Sequence, residues 1–108
     1  MKTLLIVAAA TASLSLAQAR QTFTGTITDD MCGPNGHAQM RMGPTDGECT
    51  VACVLAHGAR YALTDGTNLY VLSDQKTPEQ FAGQKVTVVG TLDAKTMTIT
   101  VESISAAK

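Results

Sequence analysis

Five short runs of apolar and β-branched residues, the first four each followed within two positions by Asp, leave this chain few folds to choose between. The first run is the clearest. Phe23, Gly25 and Ile27 alternate with Thr22, Thr24, Thr26 and Thr28, the period of two that a half-buried strand requires. Asp29-Asp30 closes it. Tyr61-Ala62-Leu63 and Leu69-Tyr70-Val71-Leu72 flank Asp65-Gly66-Thr67-Asn68, a hairpin-type turn. Residues 85–92 and 97–104 form two last strands joined near Asp93-Ala94-Lys95. In the final one Met97, Ile99 and Val101 point one way, and Thr98, Thr100 and Glu102 the other.

Two helices interrupt this pattern. Residues 48–57 contain no Gly or Pro and predict one short helix, capped by Thr45 or Asp46 and stopped by Gly58. Val51, Val54, Leu55 and Gly58 share a side suited to packing on a sheet, while Cys49, Cys53 and His57 recur every four residues along an adjacent stripe. Thr77-Pro78-Glu79-Gln80 predicts a second helix, with Thr77 capping, Pro78 in the first position, Gln80 completing a capping box and Gly83 ending it. Five strands with a helix between the third and fourth is the order of an OB-like β-barrel, a mainly β fold. Residues 29–58 are then a loop-helix insertion between strands 1 and 2. An open five-stranded sheet or a sandwich fragment would use the same strands.

The chain also begins like an export substrate. Lys2 precedes a short apolar stretch from Leu4 to Leu16, and Ala17-Gln18-Ala19 is a small-x-small cleavage site, so residues 1–19 are expected to be a secretory signal. Thr11, Ser13 and Ser15 break the run below the roughly 20 apolar residues of a membrane anchor. Nothing after the signal has that length, so no transmembrane segment is expected in the mature chain. Cleavage takes 19 of 108 residues and leaves 89, one domain spanning 20–108 and placed in the periplasm or outside the cell. A chain of that size buries only about 60–65% of its unfolded surface. It has no Trp, and Phe23, Phe81, Tyr61 and Tyr70 are its only aromatic residues. Thin cores of this kind are commonly reinforced by a disulfide or a metal.

Several segments together resemble a known group. Phe23-Thr24-Gly25-Thr26-Ile27-Thr28-Asp29, Met31-Cys32-Gly33 with His37, Cys49-Thr50-Val51-Ala52-Cys53, Tyr61-Ala62-Leu63 and the closing residues 81–92 are similar to a family of short, exported, uncharacterised bacterial proteins with an OB-fold-like domain of unknown function. The resemblance implies the barrel and export, and it implies no activity.

All three cysteines and both histidines fall between Met31 and His57, together with Met40 and Met42. Two chemistries fit. Outside the cytoplasm thiols oxidise, and Cys32 bridged to Cys49 or Cys53 would tie the insertion down, stabilising by about 2–4 kcal/mol. Cys49 and Cys53 are poor partners for each other, because their Cβ–S bonds on one helix reach the disulfide torsion only by distorting the turn. Either bridge leaves an odd thiol able to link two chains into a dimer. Alternatively, Cys49/Cys53 or Cys53/His57 grip one ion from a helix face, with Cys32 and His37 closing the other side. Three thiolates and an imidazole suit zinc. His37, Met40 and Met42 beside the cysteines suit copper, because thioether and thiolate ligands favour Cu(I). The Cys-x-x-x-Cys spacing also resembles, over five residues, the copper motif of Sco-type assembly proteins.

Other classes are weakly supported. With a formal net charge of −1, nothing in the chain is basic enough to suggest nucleic acid, whose phosphates call for clustered Lys and Arg. No phosphate loop, nucleotide fingerprint or Gly-x-Ser-x-Gly occurs. A Cys53–His57 nucleophile would have to remain reduced in an oxidising compartment. Asp29 and Asp30, adjacent acids at a strand end, are expected to be solvated. These features point to a non-enzymatic binding module with a Cys/His/Met cluster, its ligand and partners unspecified. The alternative is a structural or interaction domain that uses the barrel surface.

Overall fold

The computed structural model describes residues 19–33 and 43–108. The expected signal, up to residue 18, and His37, Met40 and Met42 lie outside the described residues. No helix among the described residues is long and apolar enough to cross a membrane.

Five strands close into a barrel in the order β1-β2-β3-β5-β4. They are β1 (Arg20–Asp29), β2 (Tyr61–Thr64), β3 (Leu69–Leu72), β4 (Lys85–Asp93) and β5 (Thr98–Ala106). All pairings are antiparallel except β3 with β5, and β4 returns to β1 to complete the ring. The OB-like order expected from the strand and helix sequence is the order observed. Helix α1 (Asp46–His57) lies between β1 and β2, and a 3-10 helix (Thr77–Phe81) lies between β3 and β4.

Strand β1 serves both ends of the closure. Residues 20–26 pair with β4 and residues 26–29 pair with β2, so the strand turns a corner near Thr26. Gly25 is required there, because a Cβ would collide with the Thr64 carbonyl oxygen. Inside the barrel Ile27, Tyr61, Leu63, Leu72, Val86, Val88 and Ile99 form one fully buried cluster. Phe23 and Tyr70 pack against it with ring centroids 5.6 Å apart, tilted at 54°.

Two sequence patterns are modified by this geometry. On β5 the alternation breaks after Val101, because Val89 pairs with Ser103 while Gly90 pairs with Val101. Glu102 is the extra residue of a β-bulge, and the phase change turns Ile104 inward against the core. The bulged Glu102 carboxylate meets Arg20 at 3.0 Å. The capping box expected from Thr77 and Gln80 does not form. Asp74 caps this turn instead, its Oδ1 accepting from the backbone N–H of Lys76 (2.9 Å) and Thr77 (3.0 Å). A hydrogen bond from the Thr77 side chain, helped by those two backbone bonds, holds the Asp74 carboxyl below the usual carboxylate range.

Gln75 does work that no residue pattern announces. Its Oε1 accepts from Tyr61 N–H at 2.8 Å, and its Nε2 donates to the carbonyls of Tyr61 (3.0 Å) and Leu72 (2.8 Å). One amide side chain thereby satisfies three backbone groups where β2 begins and β3 ends.

Candidate metal centre

The described part of the cluster is built from two pieces of chain. The first is α1. Thr45 is its N-cap, with Oγ1 accepting from Glu48 N–H at 3.1 Å. Asp46 and Glu48 oppose the positive helix end, and Gly58 terminates the helix at a φ of 70°. The second piece is the turn after β1. Asp29 Oδ2 accepts from the N–H groups of Met31 and Cys32, both at 3.1 Å, and folds the chain so that Cys32 faces the helix. Asp30 then fastens this turn to the far end of α1. Its carboxylate accepts from Arg60 N–H (2.8 Å) and Nε (2.9 Å), and its own N–H donates to the Arg60 carbonyl (2.9 Å).

The roll of α1 differs from the sequence expectation. Cys49, Thr50 and Cys53 are its buried residues, and Leu55 is 74% exposed. Val54 alone of the expected apolar face reaches both the barrel cluster and the cysteine cluster. The cause lies at Gly47. A Cβ there would stand 2.5 Å from the Ala82 carbonyl oxygen, and Gly83, at a φ of +78°, is packed against the Gly47 backbone. The helix end meets the loop before β4 backbone to backbone, and this closeness admits only small side chains such as Cys and Thr beneath the helix. The consequence for β1 is a second correction. Because α1 covers the end of that strand, Thr28 is buried and Asp29 is 0% exposed, where solvation was expected.

Three sulfurs result, those of Cys32, Cys49 and Cys53, all within 4.8 Å of one another. Cys49 and Cys53 are 0% exposed and Cys32 is half-buried. Among the described residues no disulfide joins them. His57, one turn beyond Cys53, is exposed and stands outside the group.

The electrostatics are those of a site short of positive charge. Burial pushes the Cys32 thiol up to about 12, with the Asp29 carboxylate and the neighbouring cysteines adding to the rise. Cys53 is raised too, first by burial and then by Asp29, against a partly offsetting hydrogen bond from Cys32. Cys32 and Cys53 are therefore in their thiol form near neutrality, and a cation bound by their sulfurs must displace protons. The sulfur spacing suits one. A tetrahedral ion with Zn–S near 2.3 Å holds its sulfurs about 3.8 Å apart, so closing around it requires shifts of about 1 Å or less.

Sequence reasoning singled out all three of the clustered cysteines. It missed Asp29 as the residue that shapes the Cys32 turn, although an Asp two and three positions before the N–H groups it accepts is an Asx-turn signal. It also missed Gly47, whose role depends on a loop 36 positions later in the chain.

A family described as a protein of unknown function, DUF5818, matches residues 54–107. The matched segment covers the end of α1 and strands β2 to β5. Strand β1 and the three cysteines precede it. No curated protein and no solved structure matches the chain.

Proposed function

The chain belongs to the DUF5818 family, for which no activity is assigned, and on its own site we propose that it is an exported binding module holding one thiophilic transition-metal ion, copper or zinc, through Cys32, Cys49 and Cys53. The observation that carries the reading is the convergence of three sulfurs from two chain segments within 4.8 Å, beside a buried carboxylate. Asp29 and three ionised thiols would place negative charge in a low-dielectric site, and a bound cation is the group that relieves it. Thiolate donors select Cu(I) or Zn among biological ions. Cu(I) is satisfied by the three sulfurs, whereas zinc calls for a fourth ligand, which His37, Met40, Met42 or water would supply. Export rests on the N-terminal pattern of Lys2, the apolar stretch and Ala17-Gln18-Ala19.

The test is a native mass spectrum of the full-length gene product recovered from an exported fraction without chelator. One ion per chain, lost on denaturation and absent from Cys49→Ser and Cys53→Ser variants that keep the barrel's circular dichroism, supports the reading. A metal-free chain that takes up neither Cu(I) nor Zn(II) after reduction sinks it. A mass equal to the chain from Arg20 onward supports export, and an intact N-terminus opposes it.

A second reading has its own observation. Cys32 and Cys53 lie on different segments and their sulfurs are hydrogen-bonded to each other, so a bridge between them would staple the turn to the helix. That species would be metal-free and about 2 Da lighter than the reduced chain.

A further inference from the structure

We propose that Cys32 and Cys53 form one disulfide by exchange with a disulfide-bearing oxidant, and that this bridge and a bound metal ion exclude each other at the same three sulfurs. The exclusion rests on the metal reading above, whereas the choice of pair does not.

Three observations select the pair. Cys53 is hydrogen-bonded both to Cys32 and to Cys49. Cys32 is the only one of the three that is not wholly buried, so an incoming reagent meets it first. Cys49 and Cys53 lie one turn apart on α1, where directed Cβ–S bonds oppose a bridge. In the exchange, the Cys32 thiolate attacks one sulfur of a disulfide RSSR, which forms a mixed disulfide and releases RS⁻. The Cys53 thiolate then attacks the Cys32 sulfur and releases the second RS⁻. The protein loses two hydrogens, and RSSR gains them as two RSH.

The product leaves Cys49 as the odd thiol. At 0% exposure it cannot link two chains without opening the helix from the barrel. One thiol cannot hold the ion that three held, so oxidation expels the metal. By the same linkage the metal protects the thiols, because exchange proceeds only through the metal-free fraction. With free ion at about 100 times Kd, that fraction is about 1% and bridging slows about 100-fold.

The experiment exposes full-length reduced protein, metal-free and loaded in parallel with Cu(I) or Zn(II), to oxidised glutathione. Bridges are mapped by alkylation and peptide mass, and released ion is followed with a chromophoric chelator. The expected result is a single Cys32–Cys53 link in the metal-free sample, Cys49 alkylated only after unfolding, and one ion released per bridge formed in the loaded sample. Cys49→Ser should still bridge, and Cys53→Ser should stop at the mixed disulfide. A Cys32–Cys49 or Cys49–Cys53 link overturns the pairing. A bridged protein that keeps its ion overturns the exclusion. Failure to load either metal defeats the functional reading and the exclusion with it, while the bridge map still judges the pair.

Discussion

Replacing Gly47 by alanine puts two effects of opposite sign in competition. Gly47 is the second residue of α1, and helix propensity alone favours alanine over glycine by up to about 1 kcal/mol. The docking geometry argues the other way. The new Cβ would lie 2.5 Å from the Ala82 carbonyl oxygen and 3.2 Å from its carbon, against backbone that cannot swing aside as a long side chain would. Relieving the contact moves the helix end outward by about 0.5–1 Å, and overpacking of this kind costs about 1–3 kcal/mol. The first turn is where propensity counts least, so the expected net effect is a loss of about 1–2 kcal/mol. Urea unfolding followed by circular dichroism reads this as a lower midpoint at unchanged slope. For a domain of this size the same loss lowers Tm by about 4–16 °C. The shift also carries Cys49 and Cys53 away from Cys32, so ion affinity should fall beyond what stability alone explains. An alanine variant as stable as the parent, or more so, would refute the claim that backbone contact at Gly47 sets the roll of α1.

Three further outcomes follow from the same packing. Val54→Ala should cost about 1–2.5 kcal/mol by denaturant unfolding, because Val54 joins the two buried clusters, whereas Leu55→Ala should stay within about 0.5 kcal/mol; equal losses would mean that the helix is rolled as its Val/Leu pattern suggests. Gln75→Leu removes partners from three backbone groups at once and should destabilise by about 2–4 kcal/mol, measured the same way, with a loss below about 1 kcal/mol counting against the amide bridge. The metal-free reduced protein should lose stability as pH rises from about 9 towards 12. Cys32 and Tyr61 are each pushed up to about 12, the thiol by burial and Asp29, the phenol by burial and Glu79, so the unfolded chain releases these protons first. Asp29→Asn, which removes the charge while keeping a carbonyl acceptor for the turn, should bring the thiol titration followed at 240 nm to lower pH, and an unmoved titration would contradict the assigned cause.

The barrel was legible because its strands advertise themselves locally. Thr22 to Thr28 alternates, Asp65-Gly66-Thr67-Asn68 turns, and the Asp65 carboxylate accepts the Thr67 and Asn68 N–H groups as such a turn requires. Where the reading failed, the deciding contact was distant in sequence. Thr77 looks like a helix cap, but Asp74 ties the start of this turn from three residues earlier, accepting from the Lys76 and Thr77 N–H groups. Asp29 looks like a solvated strand end until α1 is laid over it. Val51 and Leu55 make a plausible packing face, yet with Gly47 docked against Ala82 and Gly83 the first is only half-buried and the second exposed. Periodicity reports which residues share a face, but docking elsewhere decides which face is inward.

The same distinction separates the barrel from the thiol site. The family match begins at Val54, the residue that packs against both clusters, and runs through β2 to β5. Cys32, Cys49 and Cys53 come from the turn after β1 and the earlier part of α1, and they lie outside the barrel's own core cluster. If the two are physically separable, a Cys49→Ala, Cys53→Ala double variant should keep the barrel while losing every property assigned to the sulfurs. The lost thiol volume costs about 1–2 kcal/mol by the cavity argument, since Cys-to-Ala removes one heavy atom at each buried position. Tyr70 fluorescence and β-sheet circular dichroism should be retained, with cooperative unfolding at reduced Tm. Collapse of the barrel in that variant would mean that the thiol cluster is part of the folding core, and the case for a binding role would lose its main physical premise.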